Sequence, residues 1–247
     1  MPNIRECRLT SKSENDSCII VGDLSGSLSD LHYLCREFGS ETKVIYNGNF
    51  MRNNDQIEVL LRLCVAFIKR PAQVFLNRGA CEDMAFSLVD DTANGVCSLL
   101  KLTRQKYGQY SAVIFSELVE LFGCLSLGTL LVNEQTRMFV VSSGFSSEEM
   151  SIELIQSEVK RSEILMSDHL ARGLFDAQPR PNGDEEDREE YELESEQRLA
   201  SECLEFGQEQ TAKFCKLSKF MIMMMYVGVF SSKKKQIKFC FPPNLVF

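Results

Sequence analysis

Three short apolar runs in the first third of the chain, each followed by a polar glycine-containing loop and then by an amphipathic stretch, set the pattern for the whole sequence. The runs are Cys18–Val21, Val44–Tyr46 and Val74–Leu76. They are rich in β-branched and aromatic residues and show no polar alternation, as expected of strands covered on both faces. After the first, Ser29 and Asp30 are placed to cap a helix reading DLHYLCREF, which stops at Gly39. After the second, Asn54 and Asp55 precede a helix from Gln56 to Lys69 with apolar residues at 57, 60, 61, 64, 65 and 68, ended by Pro71. Such alternation predicts parallel strands joined by right-handed crossovers. It also gathers the loops GDLSG, NGNFMRNN and NRGACE along one sheet edge, where open α/β sheets bind ligands.

Further along, a short helix after Glu82 leads through DDTANG to helices near Ser98–Tyr107 and Tyr110–Phe122. Strands over Leu127–Val132 and Met138–Val141 flank Asn133-Glu134-Gln135, and an amphipathic helix is expected over Ser151–Leu165. The stretch 179–200 reads as an acidic insertion: a turn at Pro179–Gly183 runs into DEEDREEYELESEQ, a solvated segment or an acidic docking surface. A helix around Gln208–Lys219 and strands over Phe220–Phe230 and Gln236–Phe241 finish the chain, with the Met221–Met225 stripe read as core. The domain picture is thus a polar arm over 1–16 and a single domain over 17–247.

Composition narrows the function classes. A hydrophobic share of 44% with 25% charged residues is that of a folded globular chain, and no apolar run reaches the roughly 18 to 20 residues of a membrane span. The polar start MPNIRECRLTSKSEND carries no secretory signal, so a cytoplasmic or nuclear protein is expected, with no membrane partner. A formal charge of −8 argues against nucleic acid as a partner, since phosphate neutralisation needs a basic face. The basic run Lys233–Lys235 reads as a turn. Ten cysteines are scattered singly with no CxxC pair, which points to small buried hydrophobes, not to disulfides or a zinc site.

At the strand-end loops the sequence resembles the serine/threonine phosphoprotein phosphatases, whose loops read GDxHG, GDxxDRG and GNHE. Asp23, Asn49 and Ala80 fall at the spacing of those loops, VIYNGNF resembles the strand before GDxxDRG, and QVFLNRGACE resembles the strand before GNHE. Later, GLFDAQPRPNG and FCFPPNL are similar to the family's LLWSDPQP.NG and FSAPNY segments, so the resemblance covers 18–247. It implies a calcineurin-like metallophosphoesterase β-sandwich flanked by helices (α/β/β/α). The family continues beyond its APNY segment whereas PPNLVF ends this chain, so the fold is expected to be C-terminally truncated, with a strand edge open to a partner.

The same resemblance implies that the family's chemistry is degenerate here. Its dimetal centre uses carboxylates, an amide and imidazoles to bridge a water and lower its pKa. Of those ligands only Asp23 is retained: its histidine partner is Ser25, the bridging aspartate is Asn49, the asparagine of GNHE is Ala80, the histidine of HGG falls on Ser142, and the last histidine falls near Val227. The general-acid histidine is Cys81 and its orienting aspartate is Arg52. The family's phosphate arginine is Asn53 and its SAPNY tyrosine is Leu245, leaving Arg52, Arg78 and Arg198 as phosphate-binding candidates. Two histidines, His32 on the first helix and His169 in a polar connection, cannot supply the missing imidazoles. One carboxylate cannot hold two divalent ions against water, and Arg52 opposes cation binding further.

Three expectations follow. The first is no cofactor, no metal and no catalysis: a pseudophosphatase that binds another protein, such as a phosphatase-type regulatory or scaffold subunit. The second is a phosphate or phosphopeptide sensor that does not hydrolyse, and the third a residual hydrolase. Arg52 is expected to pair with Asp23 in place of the lost metals. Cys81 as a nucleophile lacks the arginine and amide cradle a phosphatase thiol needs, since CEDMAFS follows it with acids.

Overall fold

The chain enters on a strand that the hydrophobic pattern does not announce. In the computed structural model, Ile4–Arg8 (β1) lies parallel to Gly128–Val132 (β5), and β5 pairs in antiparallel register with Arg137–Val141 (β6). The arm expected over 1–16 therefore carries an edge strand of a three-stranded sheet. Its sequence IRECR hides this: Arg5 leaves the sheet surface to donate to the carbonyls of Val74 (3.1 Å) and Pro71 (2.6 Å), and its guanidinium lies 4.5 Å from the Phe75 ring centre. The structure describes residues 2–9, 18–37, 42–52, 55–90, 97–133, 137–145, 150–160, 169–176, 178–179, 205–206, 211–214 and 216.

The three apolar runs build the second sheet as the pattern predicts. Cys18–Val21 (β2), Lys43–Tyr46 (β3) and Val74–Leu76 (β4) are parallel in the order β2-β3-β4. Leu28–Glu37 (α1) and Gln56–Lys69 (α2) are the crossovers between them. The cap of α1 is Ser27, whose hydroxyl accepts from the Asp30 amide at 3.3 Å; Ser29 and Asp30 lie inside the helix instead. Met84–Ser87 (α3), Leu99–Tyr107 (α4) and Ser111–Cys124 (α5) follow β4.

The period of two along each strand distributes the core over three layers. Val44 and Tyr46 of β3 and Val74 and Leu76 of β4 face Leu31, Leu34, Leu60, Leu63 and Phe122 of the helices. Ile45 and Phe75 turn the other way and meet Cys7 of β1 and Val140 of β6 between the sheets. Phe139 and Val141 on the far side pack with Ile152–Glu158 (α6), His169–Asp176 (α7) and Phe214. Layers therefore run helix, sheet, sheet, helix, the α/β/β/α arrangement expected from the resemblance.

Other differences are local. α6 ends at Glu158 rather than running to Leu165, and residues 161–168 lie outside the described residues. His169, read as part of a polar connection, opens α7. Of the seven described cysteines only Cys7 is fully buried, while Cys35 and Cys124 are exposed, so burial is not their common role. Gln178–Pro179 (β7) and Glu205–Phe206 (β8) form a two-residue parallel pair. Almost all of the acidic stretch 179–200, and both strands expected after residue 219, lie outside the described residues.

Candidate functional site

The loops after β2, β3 and β4 meet at one edge, and each is shaped by its own sequence. After β2, Asp23 Oδ1 accepts both the amide and the hydroxyl of Ser25, each at 2.7 Å, which closes a tight turn. The turn requires φ of 44° at Ser25 and 68° at Gly26. The Ser25 amide also reaches the Asn49 carbonyl at 3.1 Å, tying the first loop to the second.

After β3, Gly48 and Asn49 take φ of 83° and 54°, a left-handed pair for which glycine and asparagine are the usual choices. The need for glycine is steric as well. A Cβ on Gly48 would stand 2.6 Å from the Gly79 nitrogen, and one on Gly79 would stand 2.5 Å from the Asn49 nitrogen. The second and third loops are thus in direct backbone contact.

What joins them is Glu82, a residue that sequence reasoning left unassigned. Its side chain is fully buried, and its carboxylate accepts four backbone amides: Asn49 (2.7 Å) and Gly79 (2.9 Å) on Oε2, Phe50 (2.7 Å) and Met51 (3.2 Å) on Oε1. Burial pushes its carboxyl from 4.5 up to about 7, with Asp23 adding to the rise and the amide bonds opposing it. The available signal was its place as the last residue of the loop that matches GNHE, where an acid follows a run of tight backbone.

Arg78 is a second structural anchor, which corrects its reading as a phosphate-binding candidate. Its side chain has no exposure, its Nε donates to the Glu82 carbonyl at 2.8 Å, and its Nη2 pairs with Asp83 Oδ2 at 3.0 Å. A guanidinium so enclosed is out of reach of any ligand. Behind it, Asn77 Nδ2 donates to Asn47 Oδ1 (2.9 Å) and the Val140 carbonyl (3.1 Å), Thr129 donates to Asn77 Oδ1 (2.7 Å), and Asn47 Nδ2 reaches the Val141 carbonyl (2.8 Å). This buried amide network holds the strand ends of both sheets in register.

The remaining predicted positions gather around these anchors. Asn49 Oδ1 accepts the Cys81 amide at 3.2 Å. The Ser142 hydroxyl is buried without a hydrogen-bond partner among the described residues, 2.9 Å from where a Gly79 Cβ would be. Cys81 packs against the helical core and Ala80 against the opposite one. Arg52 is exposed and forms no ion pair with Asp23, contrary to expectation; Asp23 Oδ1 is held by Ser25 instead. Burial raises the Asp23 carboxyl above its usual range, while the Ser25 bonds and the charge of Arg52 oppose the rise. Asn53, Arg198, Val227 and Leu245 lie outside the described residues.

Comparison with known proteins identifies this arrangement. The chain is 31% identical over 160 residues to serine/threonine-protein phosphatase with EF-hands 1 of Rattus norvegicus, a match covering 63% of this chain and 23% of that protein. Against serine/threonine-protein phosphatase rdgC of Drosophila melanogaster it is 30% identical over 161 residues, covering 64% and 22%. Its homologues are serine/threonine protein phosphatases. The phosphatase homologue also shares its fold with a solved protein serine/threonine phosphatase from Saccharomyces cerevisiae with similarity to human phosphatase PP5. That match has a TM-score of 0.67 at 23% identity, over 90% of this chain and 64% of the yeast chain. No protein-family model matches the sequence. The homologue spans less than a quarter of the length of these two sequence relatives.

The fold implies a dimetal centre at this edge, and the side chains present do not fit one. Ala80 has no donor atom, Ser142 offers a buried neutral hydroxyl, Asn49 gives its amide oxygen to Cys81, and Asp23 alone is anionic. Glu82 cannot substitute, since both of its oxygens are turned into the backbone of the loops. Among the described residues no three His, Cys, Asp or Glu side chains converge where they could hold a metal ion. A pair of divalent ions needs several hard anionic donors facing one point, and among the described residues this edge offers Asp23 alone.

Proposed function

We propose that this phosphatase homologue is catalytically inactive and acts by binding another protein, as a regulatory or scaffold subunit. The observation that carries the reading is the state of the strand-end edge. Among the described residues, the polar groups at the positions that match the family's loops are replaced, buried or bonded within the protein, while the scaffold around them is held by Glu82, Arg78 and Asn77. A dimetal hydrolase requires several ligands around a bridged water, and among the described residues the edge does not gather them.

The test offers purified protein manganese, iron and zinc in excess, then measures bound metal by elemental mass spectrometry and phosphate release from a phosphoserine peptide. The expected outcome is no stoichiometric metal and no release above the blank. Metal-dependent release that disappears in Asp23→Ala would overturn the reading.

A second reading rests on Arg52, an exposed guanidinium at the same edge without an ion pair among the described residues. It supports capture of a phosphorylated peptide without hydrolysis. Titration of a phosphopeptide against its unphosphorylated twin tests it: a preference abolished by Arg52→Glu supports phosphate capture, and equal binding rules it out.

A further inference from the structure

We propose that the outer face of α2 is a docking ridge for an acidic amphipathic helix of a partner protein. This deepens the protein-binding reading above and rests on it for its biological use. The helix is apolar on two sides, which is unusual for one at the surface of a globular domain. Its inner side, Ile57, Leu60 and Leu63, fills the core under β3 and β4. Its outer side carries Leu61, Val65 and Ile68, at 47%, 50% and 74% exposure. These three recur at i, i+4 and i+7, so they form one continuous row along the helix surface instead of scattered singles.

Charge decides what the row fits. Arg62 and Lys69 flank it, both exposed and neither in an ion pair among the described residues. At the helix start, Glu58 is neutralised by Lys106 of α4. The ridge therefore presents apolar side chains beside two uncompensated cations on a chain whose formal charge is −8. A second copy of the same face would bring Arg62 and Lys69 against their own kind, so self-pairing is disfavoured. An anionic membrane wants a broad basic face, and two cations on a net acidic protein do not make one. A single row at four-residue spacing suits the groove of another helix, with apolar residues at the same period and Asp or Glu beside them.

The experiment titrates the full chain into a fluorescein-labelled 20-residue helical peptide that places Leu at i, i+4 and i+7 between rows of Glu, followed by fluorescence anisotropy. A peptide with Lys in place of Glu, vesicles containing phosphatidylserine, and sedimentation of the chain alone run beside it. The expected result is binding of the Glu peptide in preference to the Lys peptide, weakened about tenfold or more by Leu61→Asp with Ile68→Asp. Arg62→Glu with Lys69→Glu should reverse the preference toward the Lys peptide, which a fold defect cannot do. Absence of binding, equal binding of both peptides, indifference to the substitutions, recruitment to the vesicles, or self-association through this face would each overturn the proposal. Phosphate release by the same sample would instead overturn the inactive reading and leave peptide binding untouched, so the two failures are distinguishable.

Discussion

The strand-end edge and the outer face of α2 are opposites in how they treat their own chemistry. At the edge, polar groups are abundant and almost all are consumed internally. Glu82 takes four amides, Arg78 is enclosed with Asp83, Asn77 links both sheets, and Asp23 is closed on Ser25. Along α2, apolar groups and cations face outward with no counterpart among the described residues. The polar groups described at the edge are bonded inward, and the uncompensated groups lie along α2. A catalytic cleft needs polar groups that face a bound molecule. The contrast teaches that the geometry of three loops can be fixed by inward bonds from a few buried side chains.

The sharpest way to break that comparison is to remove an internal bond and ask whether the edge survives. Arg78→Ala should have the largest effect. It strands the Asp83 carboxylate in a site with no exposure and leaves the Glu82 carbonyl without its donor. Breaking a buried pair by removing one partner typically destabilises by about 3–5 kcal/mol, and the urea midpoint should fall accordingly. A loss below about 1 kcal/mol would mean that the edge is not held together from within.

Glu82 gives the next largest effect and a sign that can be checked by pH. Its folded-state carboxyl titrates near 7 against an ordinary 4.5, so the folded chain binds this proton more tightly than the unfolded one. Stability from this group is therefore full below about 4.5 and is lost as pH rises through about 7, on the order of 3 kcal/mol across the window. Asp23, raised in the same direction by burial, adds to the slope. Urea titrations at pH 5 and pH 7.5 should show the decline, and Glu82→Gln should flatten most of it. A midpoint that climbs over the same range sinks the assignment.

Much of this architecture was legible from the hydrophobic pattern, and the parts that were not share a cause. Val44–Tyr46, Val74–Leu76 and the bounds of α2 followed from dense apolar runs, because strands buried on both faces and a strongly periodic helix need little context. Ile4–Arg8 escaped because it is half charged, and its Arg5 is accommodated by carbonyls and a ring from the other sheet, a tertiary contact with no local signature. At the edge, the convergence of Asp23, Asn49, Ala80 and Cys81 followed from their places at the strand ends. The role of Glu82 did not, since four amides from two separate loops converge on it only after folding. Arg78 misled for the same reason: an arginine in a loop looks available until its burial is known.

The finest probe of the comparison sets two serines of the edge against each other. Ser25 donates its hydroxyl to Asp23 at 2.7 Å, so Ser25→Ala removes a bond to a carboxylate and should destabilise by about 1–2 kcal/mol. Ser142 carries a buried hydroxyl with no partner among the described residues, so Ser142→Ala should be neutral or stabilising by up to about 1 kcal/mol. Paired thermal melts decide it, because both changes delete one oxygen from the same edge. If Ser142→Ala is the more damaging, its hydroxyl has a counterpart in solution, and the edge still faces outward at that position. If Ser25→Ala is the more damaging, the order of effects follows internal bonding alone, as an edge converted from chemistry to structure requires.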